Sequence, residues 1–241
     1  MRGLVATGRR NSSVGSDVSF STEWNDVYQS GAQNSVWPWS DLVSFVMRYA
    51  RPDRNPYRVL ELGFGAGANV QFFLSIGATY SGLEGSTVAV DKVRERFAGT
   101  TGVSLVCGDF TQEIPFDSSF DLVVDRSSIT HNCTASVQKC LALIHLSMRS
   151  GAKFIGIDWF STDNADFLSG RDMGDYYTRA GFARGQFKDV GVVHFSDKRH
   201  LEGLLTAAGF KIERLEHKRI ETSEPAGTGA MAWWNFVVVK P

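Results

Sequence analysis

A chain of 241 residues with 43% hydrophobic content can bury a full core, and its net charge of −1 gives no basic excess for gripping phosphate backbones, which disfavours a nucleic-acid substrate. The three cysteines, Cys107, Cys133 and Cys140, lack metal-ligand spacing, and their odd number argues against a disulfide framework; the expectation is a cytoplasmic protein with reduced thiols and no metal. No apolar run approaches membrane length, and the first residues lack a hydrophobic signal core, so a membrane role is not expected. In chain order, residues 1–20 are polar and read as a mobile tail. An aromatic-rich stretch follows, with Trp24, Tyr28, Trp37 and Trp39 around Gly31 and Pro38; Trp24 and Trp39 are expected to pack an N-terminal helix onto the core. Ser40 is the expected cap of a helix with Leu42, Phe45, Val46 and Tyr49 on one face, ending near Pro52.

The stretch Arg58-Val-Leu-Glu-Leu-Gly-Phe-Gly-Ala-Gly-Ala-Asn-Val70 carries the strongest signal. Val59–Leu62 reads as a buried strand that stops at Gly63, Gly65 and Gly67, after which Val70, Phe73 and Leu74 recur at helical spacing. Glycines in a strand-to-helix turn allow backbone angles that a β-carbon penalises, and they let a ligand approach the main chain. The turn is expected to be a nucleotide cradle, with the helix N-terminus aimed at it. Gly63, Gly65 and Ala68 also satisfy a GxGxxA pattern suited to a dinucleotide pyrophosphate. Two acids point elsewhere. Glu61 precedes the turn, well placed for an ammonium or sulfonium group, and Glu84 ends the next apolar segment, where a carboxylate can accept both ribose hydroxyls. The segment VLELGFGAG, with Glu84 after the second strand, resembles the cofactor site of class I S-adenosylmethionine-dependent methyltransferases. That resemblance implies S-adenosylmethionine as cofactor and S-adenosylhomocysteine as product, with Glu61 near the methionine amino group and Glu84 on the ribose. It also implies that Tyr28 and Trp37 line the methionine end or the substrate pocket.

Ser86 is the expected cap of a helix carrying Val90, Val93 and Phe97. The third strand, Val103–Cys107, leads into Gly108-Asp109-Phe110. By the resemblance Asp109 accepts from the adenine amine, and Phe110 can stack on the base. The fourth strand, Phe120–Asp125, runs into Arg126-Ser-Ser-Ile-Thr-His-Asn132 and neighbours the first at the switch point where α/β sheets hold ligands. Asp125, Arg126, His131 and Asn132 therefore fall near the reacting methyl. His131 and Asp125 are the candidate bases, and Arg126 is a candidate substrate contact. Thr134 is expected to cap a helix with Val137, Cys140, Leu141, Ile144 and Met148 inward, stopped by Gly151, and His145 reads as a packed helix residue.

After a fifth strand, Ala152–Asp158, the segment 158–195 is rich in Gly, Asp and aromatics and too long for a plain crossover. It reads as a mostly irregular substrate cap, with Asp158, Trp159, Tyr176, Tyr177 and His194 as substrate contacts and Asp163 and Arg171 as weaker candidates. A helix from Ser196 with Leu201, Leu204 and Leu205 follows, then a hairpin of strands Phe210–Ile220 and Trp233–Lys240. The expected architecture is α/β and Rossmann-like: a seven-stranded, mostly parallel sheet with an antiparallel C-terminal strand and helices on both faces. Residues 21–241 form one methyltransferase domain in this reading. Its substrate is a small polar metabolite methylated on O or N, and a faint likeness to bacterial cell-surface sugar methyltransferases suggests a sugar or sugar nucleotide. A nicotinamide-dependent oxidoreductase and a non-catalytic cofactor-binding scaffold are the competing expectations.

Overall fold

The computed structural model describes residues 23–31, 34–117, 119–225, 227 and 229–241, so the expected tail over 1–20 lies outside the described residues. The strands of the chain are β1 (Tyr57–Leu62), β2 (Ala78–Glu84), β3 (Val103–Cys107), β4 (Phe120–Arg126), β5 (Met148–Phe160), β6 (Arg171–Asp172), β7 (Thr178–Ala180), β8 (Val192–His194), β9 (Lys211–Glu221) and β10 (Ala230–Val239). The helices are α1 (Glu23–Ser30), α2 (Ser40–Tyr49), α3 (Val70–Ser75), α4 (Thr87–Arg96), α5 (Thr134–Ser147) and α6 (Lys198–Ala207). Seven strands form one sheet in the order β3-β2-β1-β4-β5-β10-β9, parallel from β3 to β5, with β10 antiparallel to both neighbours. The expected sheet is therefore present.

Side-chain alternation along the central strands builds two cores. Leu60, Val123, Phe154 and Phe236 face one way and pack with Val137, Leu141 and Ile144 of α5 and Leu201 and Leu205 of α6. Val59, Leu122, Val124, Ile155 and Val237 face the other way, against Leu42 and Val46 of α2, Phe73 of α3 and Val90 and Val93 of α4. Both faces of the inner strands are thus buried, as a parallel sheet requires. Among the described residues no helix is long and apolar enough to cross a membrane.

Several boundaries differ from the sequence expectation. Trp39, not Ser40, occupies the cap position of α2, and it makes no side-chain cap bond. Cys133, not Thr134, precedes α5, and the Thr134 N–H instead bonds Asp175 Oδ2 at 3.2 Å, so a residue of the 158–195 insertion caps this helix. Gly151 does not stop α5. The helix ends at Ser147, and β5 starts at once, with Gly151 (φ 77°) inside it where the pairing to β4 slips between Phe120 and Leu122. The insertion, expected to be an ordered but mostly irregular cap, contains regular structure. It folds a three-stranded sheet, β6-β7-β8, over its own core of Phe160, Phe167, Phe182, Phe187, Val193 and Phe195. Strands of two or three residues are too short for alternation to register in sequence.

Candidate functional site

At the carboxyl end of β1, where the strand order reverses, the glycine turn opens a cavity of about 530 Å³, within the range of small-ligand sites. Gly63, Gly65 and Gly67 all have left-handed backbones, at φ 62°, 52° and 71°. A β-carbon on Gly63 would lie 2.1 Å from Ser128 Oγ, and one on Gly65 would lie 2.6 Å from the Tyr28 hydroxyl. These two glycines thus admit the β4–α5 loop from one side and α1 from the other. Gly67 has a different job: it does not line the cavity, and its bare Cα accepts the approach of Arg96 and Val93 from α4. Asn25 and Ser86 share a hydrogen bond, and Lys92 Nζ donates to the Tyr28 carbonyl, which pins α1 across the cavity. The helix after the turn, α3, has only six residues and begins beyond Gly67, so the turn backbone, not a helix dipole, forms the cradle.

Two buried carboxylates floor it. Glu84, 5% exposed, accepts from Gly65 N through Oε2 at 2.9 Å and from Ser86 N through Oε1 at 2.8 Å. Burial raises its pKa, and those backbone N–H groups oppose the rise. Glu61, 3% exposed, accepts from Asn69 Nδ2 at 2.7 Å and from the Tyr80 hydroxyl at 2.6 Å. Burial pushes its pKa up to about 7 against these bonds. Asn69 in turn accepts from Trp39 N at 3.1 Å, tying the α2 entry to the same network. Among the described residues no cation comes within ion-pair distance of Glu61 or Glu84. Asp109 lies farther along the same cavity beside Gly108 and Phe110, its Oδ1 holding Thr111 N and Oγ1 in a turn at the end of β3.

The other half of the cavity is aromatic. His131 is flanked edge-on by Trp24 at 4.8 Å and Phe160 at 5.6 Å between ring centroids. Burial among these rings holds its pKa down at about 4, partly offset by a hydrogen bond to the Val192 backbone. Nδ1 is buried without a hydrogen-bond partner. Arg126 pairs with Asp158 Oδ2 at 2.8 Å and stacks its guanidinium 3.6 Å over the Trp39 ring. Lys218 approaches Asp158 Oδ1 at 3.7 Å. Ser127 and Asp158 adopt left-handed backbones, φ 60° and 56°, at the ends of β4 and β5, joined by Ser127 Oγ donating to the Asp158 carbonyl at 2.8 Å. Strained non-glycine residues of this kind cluster at functional sites.

The cavity brings together Tyr28, Glu61, Gly63, Gly65, Glu84, Asp109, Phe110, Arg126, His131, Asn132 and Asp158 from the sequence candidates. Others fall elsewhere. Asp125 is fully buried: Oδ1 holds Ser128 N and Ile129 N, and Oδ2 accepts from Trp159 Nε1 at 2.7 Å, so both residues fasten the β4–α5 loop from beneath. Neither Asp125 nor Trp159 lines the cavity. His194 is enclosed between Thr134 and Ser196, Tyr177 stacks on His200 at 3.5 Å and donates to Asp197, and Tyr176 is exposed against Phe167, all outside the cavity. Trp37 is 79% exposed and does not line the site, whereas Trp24 and Trp39, expected only to pack, do. Asn69, Ser128, Phe160, Phe187 and Trp233 also line the cavity and were missed; only the tandem Trp233-Trp234 and the aromatic density of 159–187 hinted at them. No group of three or more His, Cys, Asp or Glu among the described residues could hold a metal ion.

Comparison with known proteins agrees with this geometry. Residues 59–151 match the methyltransferase domain family. A stretch of 73 residues is 34% identical to a protein-L-isoaspartate O-methyltransferase of Methanoculleus marisnigri, covering 30% of this chain; the chain spans only 33% of that relative's length. In structure the chain is similar to an S-adenosylmethionine-dependent methyltransferase of Methanosarcina mazei, with 16% identity, TM-score 0.65 and coverage of 85% of this chain and 98% of that one. It is also similar to the Burkholderia thailandensis 1,6-didemethyltoxoflavin-N1-methyltransferase, solved with its substrate and S-adenosylhomocysteine, at 18% identity, TM-score 0.62 and coverage of 90% and 84%.

Proposed function

We propose that the chain, whose residues 59–151 match the methyltransferase domain family and whose fold is similar to that of S-adenosylmethionine-dependent methyltransferases, is a class I member that methylates a small molecule bearing an O–H or N–H, inside the cavity between the glycine turn and His131. The observation that carries this reading is the buried pair Glu61 and Glu84, which line a glycine cradle with no cation in ion-pair range among the described residues. A buried carboxylate without a cation is costly, and a cationic ligand group relieves it. S-adenosylmethionine fits: its ammonium would lie by Glu61, its ribose hydroxyls by Glu84 and its adenine between Asp109 and Phe110, under Tyr28. A nicotinamide dinucleotide fits worse, because its pyrophosphate would add negative charge beside both acids.

When bound, the cofactor supplies a methyl group whose sulfur leaves with the bonding electron pair as the acceptor's lone pair forms the new bond. The chain's own contribution is alignment and proton handling. A cavity walled by Trp24, Phe160 and Phe187 excludes water and orients the acceptor, effects worth ~7–11 kcal/mol in favourable cases. His131, on the cavity wall, is the chain's group to take the proton that the acceptor heteroatom sheds. The 158–195 segment acts as the acceptor-side cap of a single domain over 21–241, through Phe160 and the loop of Gln186, Phe187, Lys188 and Val190. A sugar acceptor draws little support from so aromatic a wall.

A thermal-shift comparison tests the reading. S-adenosylhomocysteine at about a hundredfold above its Kd stabilises the protein by ~2.7 kcal/mol, and NADH leaves it unchanged. The reverse pattern would establish the oxidoreductase reading instead.

A further inference from the structure

Asn69 stands at the position before α3 where an asparagine ordinarily caps the helix with its side-chain oxygen. It makes no such bond. Only its main-chain carbonyl serves the helix, accepting from Phe73 N at 3.2 Å. Its side chain, buried on the cavity wall, is given to two other partners. Oδ1 accepts from Trp39 N at 3.1 Å, and Nδ2 donates to Glu61 Oε1 at 2.7 Å. The usual cap is thus absent, and the amide is turned toward a buried carboxylate instead. We propose, resting on the methyltransferase reading for the identity of the ligand, that Asn69 is a positioning residue of the cofactor site: locked by the Trp39 backbone N–H, its amide offers Glu61 a donor and never an acceptor, and so holds that carboxylate charged and aimed for the ammonium of S-adenosylmethionine.

The lock follows from the inventory of the amide. An asparagine side chain has one acceptor end and one donor end, which exchange places if the group turns over. The Trp39 N–H can meet only the acceptor end. A turned amide would set two donors against each other and leave its oxygen facing Glu61. That oxygen would repel an ionised carboxylate and accept from a protonated one. With the lock closed, Oε1 receives Asn69 Nδ2 and Oε2 receives the Tyr80 hydroxyl at 2.6 Å, one donor on each oxygen, which fixes the plane of the carboxylate. The other influences on Glu61 favour proton uptake: burial first, then Asp125 on β4 and Glu84 at the end of β2. Tyr28 on α1 is a further titratable group that feels its charge. Tyr80 and Asn69 are therefore the groups that keep Glu61 ionised before a ligand arrives. Trp39 also lays its ring 3.6 Å over the guanidinium of Arg126, so the residue that orients the amide is itself held on the cavity wall.

The test reads Glu61 itself in the full, ligand-free chain, by carbon-13 NMR of the glutamate carboxyls with Glu61 assigned through Glu61→Gln. Removing the donor in Asn69→Leu is expected to raise the Glu61 midpoint by about one pH unit over the wild type. In the wild type alone, the Asn69 side-chain amide signals are expected to titrate at the same midpoint as that carboxyl, a readout that stands even if the variant misfolds. Calorimetry with S-adenosylhomocysteine supplies the second readout. The variant is expected to bind within about threefold of the wild type at pH 9 and roughly five- to tenfold more weakly at pH 6–7. A merely structural role would weaken binding equally at both. An unmoved Glu61 midpoint, a wild-type amide that ignores the Glu61 titration, or a loss of affinity independent of pH would overturn the proposal. Absence of S-adenosylhomocysteine binding to the wild type would overturn the underlying methyltransferase reading, and the carboxyl titrations would still decide what Asn69 does to Glu61.

Discussion

Burial governs the two titrating side chains on which the site depends. Glu61 has its pKa raised to about 7, first by desolvation, with Tyr80 and Asn69 opposing. A bound ammonium favours the carboxylate, so the folded, liganded pKa is lower than the free one, and binding below pH 7 must expel a proton. The affinity for S-adenosylhomocysteine is therefore full above about pH 7 and falls by up to roughly tenfold per unit below it. In Glu61→Gln that slope disappears. Calorimetry across pH 5.5–8.5 checks this, and an unchanged slope in the variant would assign the proton elsewhere. His131 shifts the opposite way, its pKa held down to about 4, so it stays neutral through the physiological range. The acid limb of kcat is expected near pH 4 for the wild type, and His131→Gln loses at least ~10²-fold in kcat together with that limb. Measured pH–rate profiles that keep the limb in the variant would remove the base role. For the competing candidate base, Asp125, sequence gives the strand position but not the partners: its oxygens hold Ser128, Ile129 and Trp159.

At the scale of elements, the glycine-turn half of the cavity was legible in the sequence and the aromatic half was not. Gly63, Gly65, Glu61, Glu84 and Asp109 sit at the ends of three consecutive strands, so their spacing along the chain mirrors their spacing in space. The aromatic half is assembled from α1, the β4–α5 loop, the end of β5, residues 186–190 and Trp233, which are scattered over most of the chain. No periodicity predicts that Trp24 will meet His131, more than a hundred residues away. Tyr176 and Tyr177, expected as substrate contacts, lie outside the cavity lining. Tyr177 in fact braces the cap against α6, its hydroxyl donating to Asp197 at 2.9 Å. Tyr177→Phe is expected to cost about 1 kcal/mol of stability in denaturant titration and to leave S-adenosylhomocysteine affinity unchanged. Phe187→Leu, which trims a ring in both the cap core and the cavity wall, is expected to raise the acceptor KM with the same cofactor affinity. A parallel loss of cofactor binding in either variant would make the cap part of the cofactor site.

For the molecule as a whole, the sheet was readable because buried parallel strands are short apolar runs punctuated by glycine and acid, and because the closing hairpin, β9 and β10, announces an antiparallel edge. Folding that sheet brings the ends of β1 and β4 together at the point where strand order reverses, and a ligand crevice follows from the topology. What the topology leaves open is the sign of the charge the crevice prefers, and in the proposed function Glu61 and Glu84 favour a cation. The central claim is thus that Glu84 and its neighbour hold S-adenosylmethionine in this cradle. The most direct measurement is calorimetric titration of S-adenosylhomocysteine into the wild type and Glu84→Ala at pH 8, where Glu61 is ionised. The account predicts one equivalent bound by the wild type, with affinity roughly ten- to a hundredfold weaker in the variant, the loss expected for hydrogen bonds to a charged group of ~1.5–3 kcal/mol. Equal affinity in the two proteins, or no binding to the wild type, would contradict it.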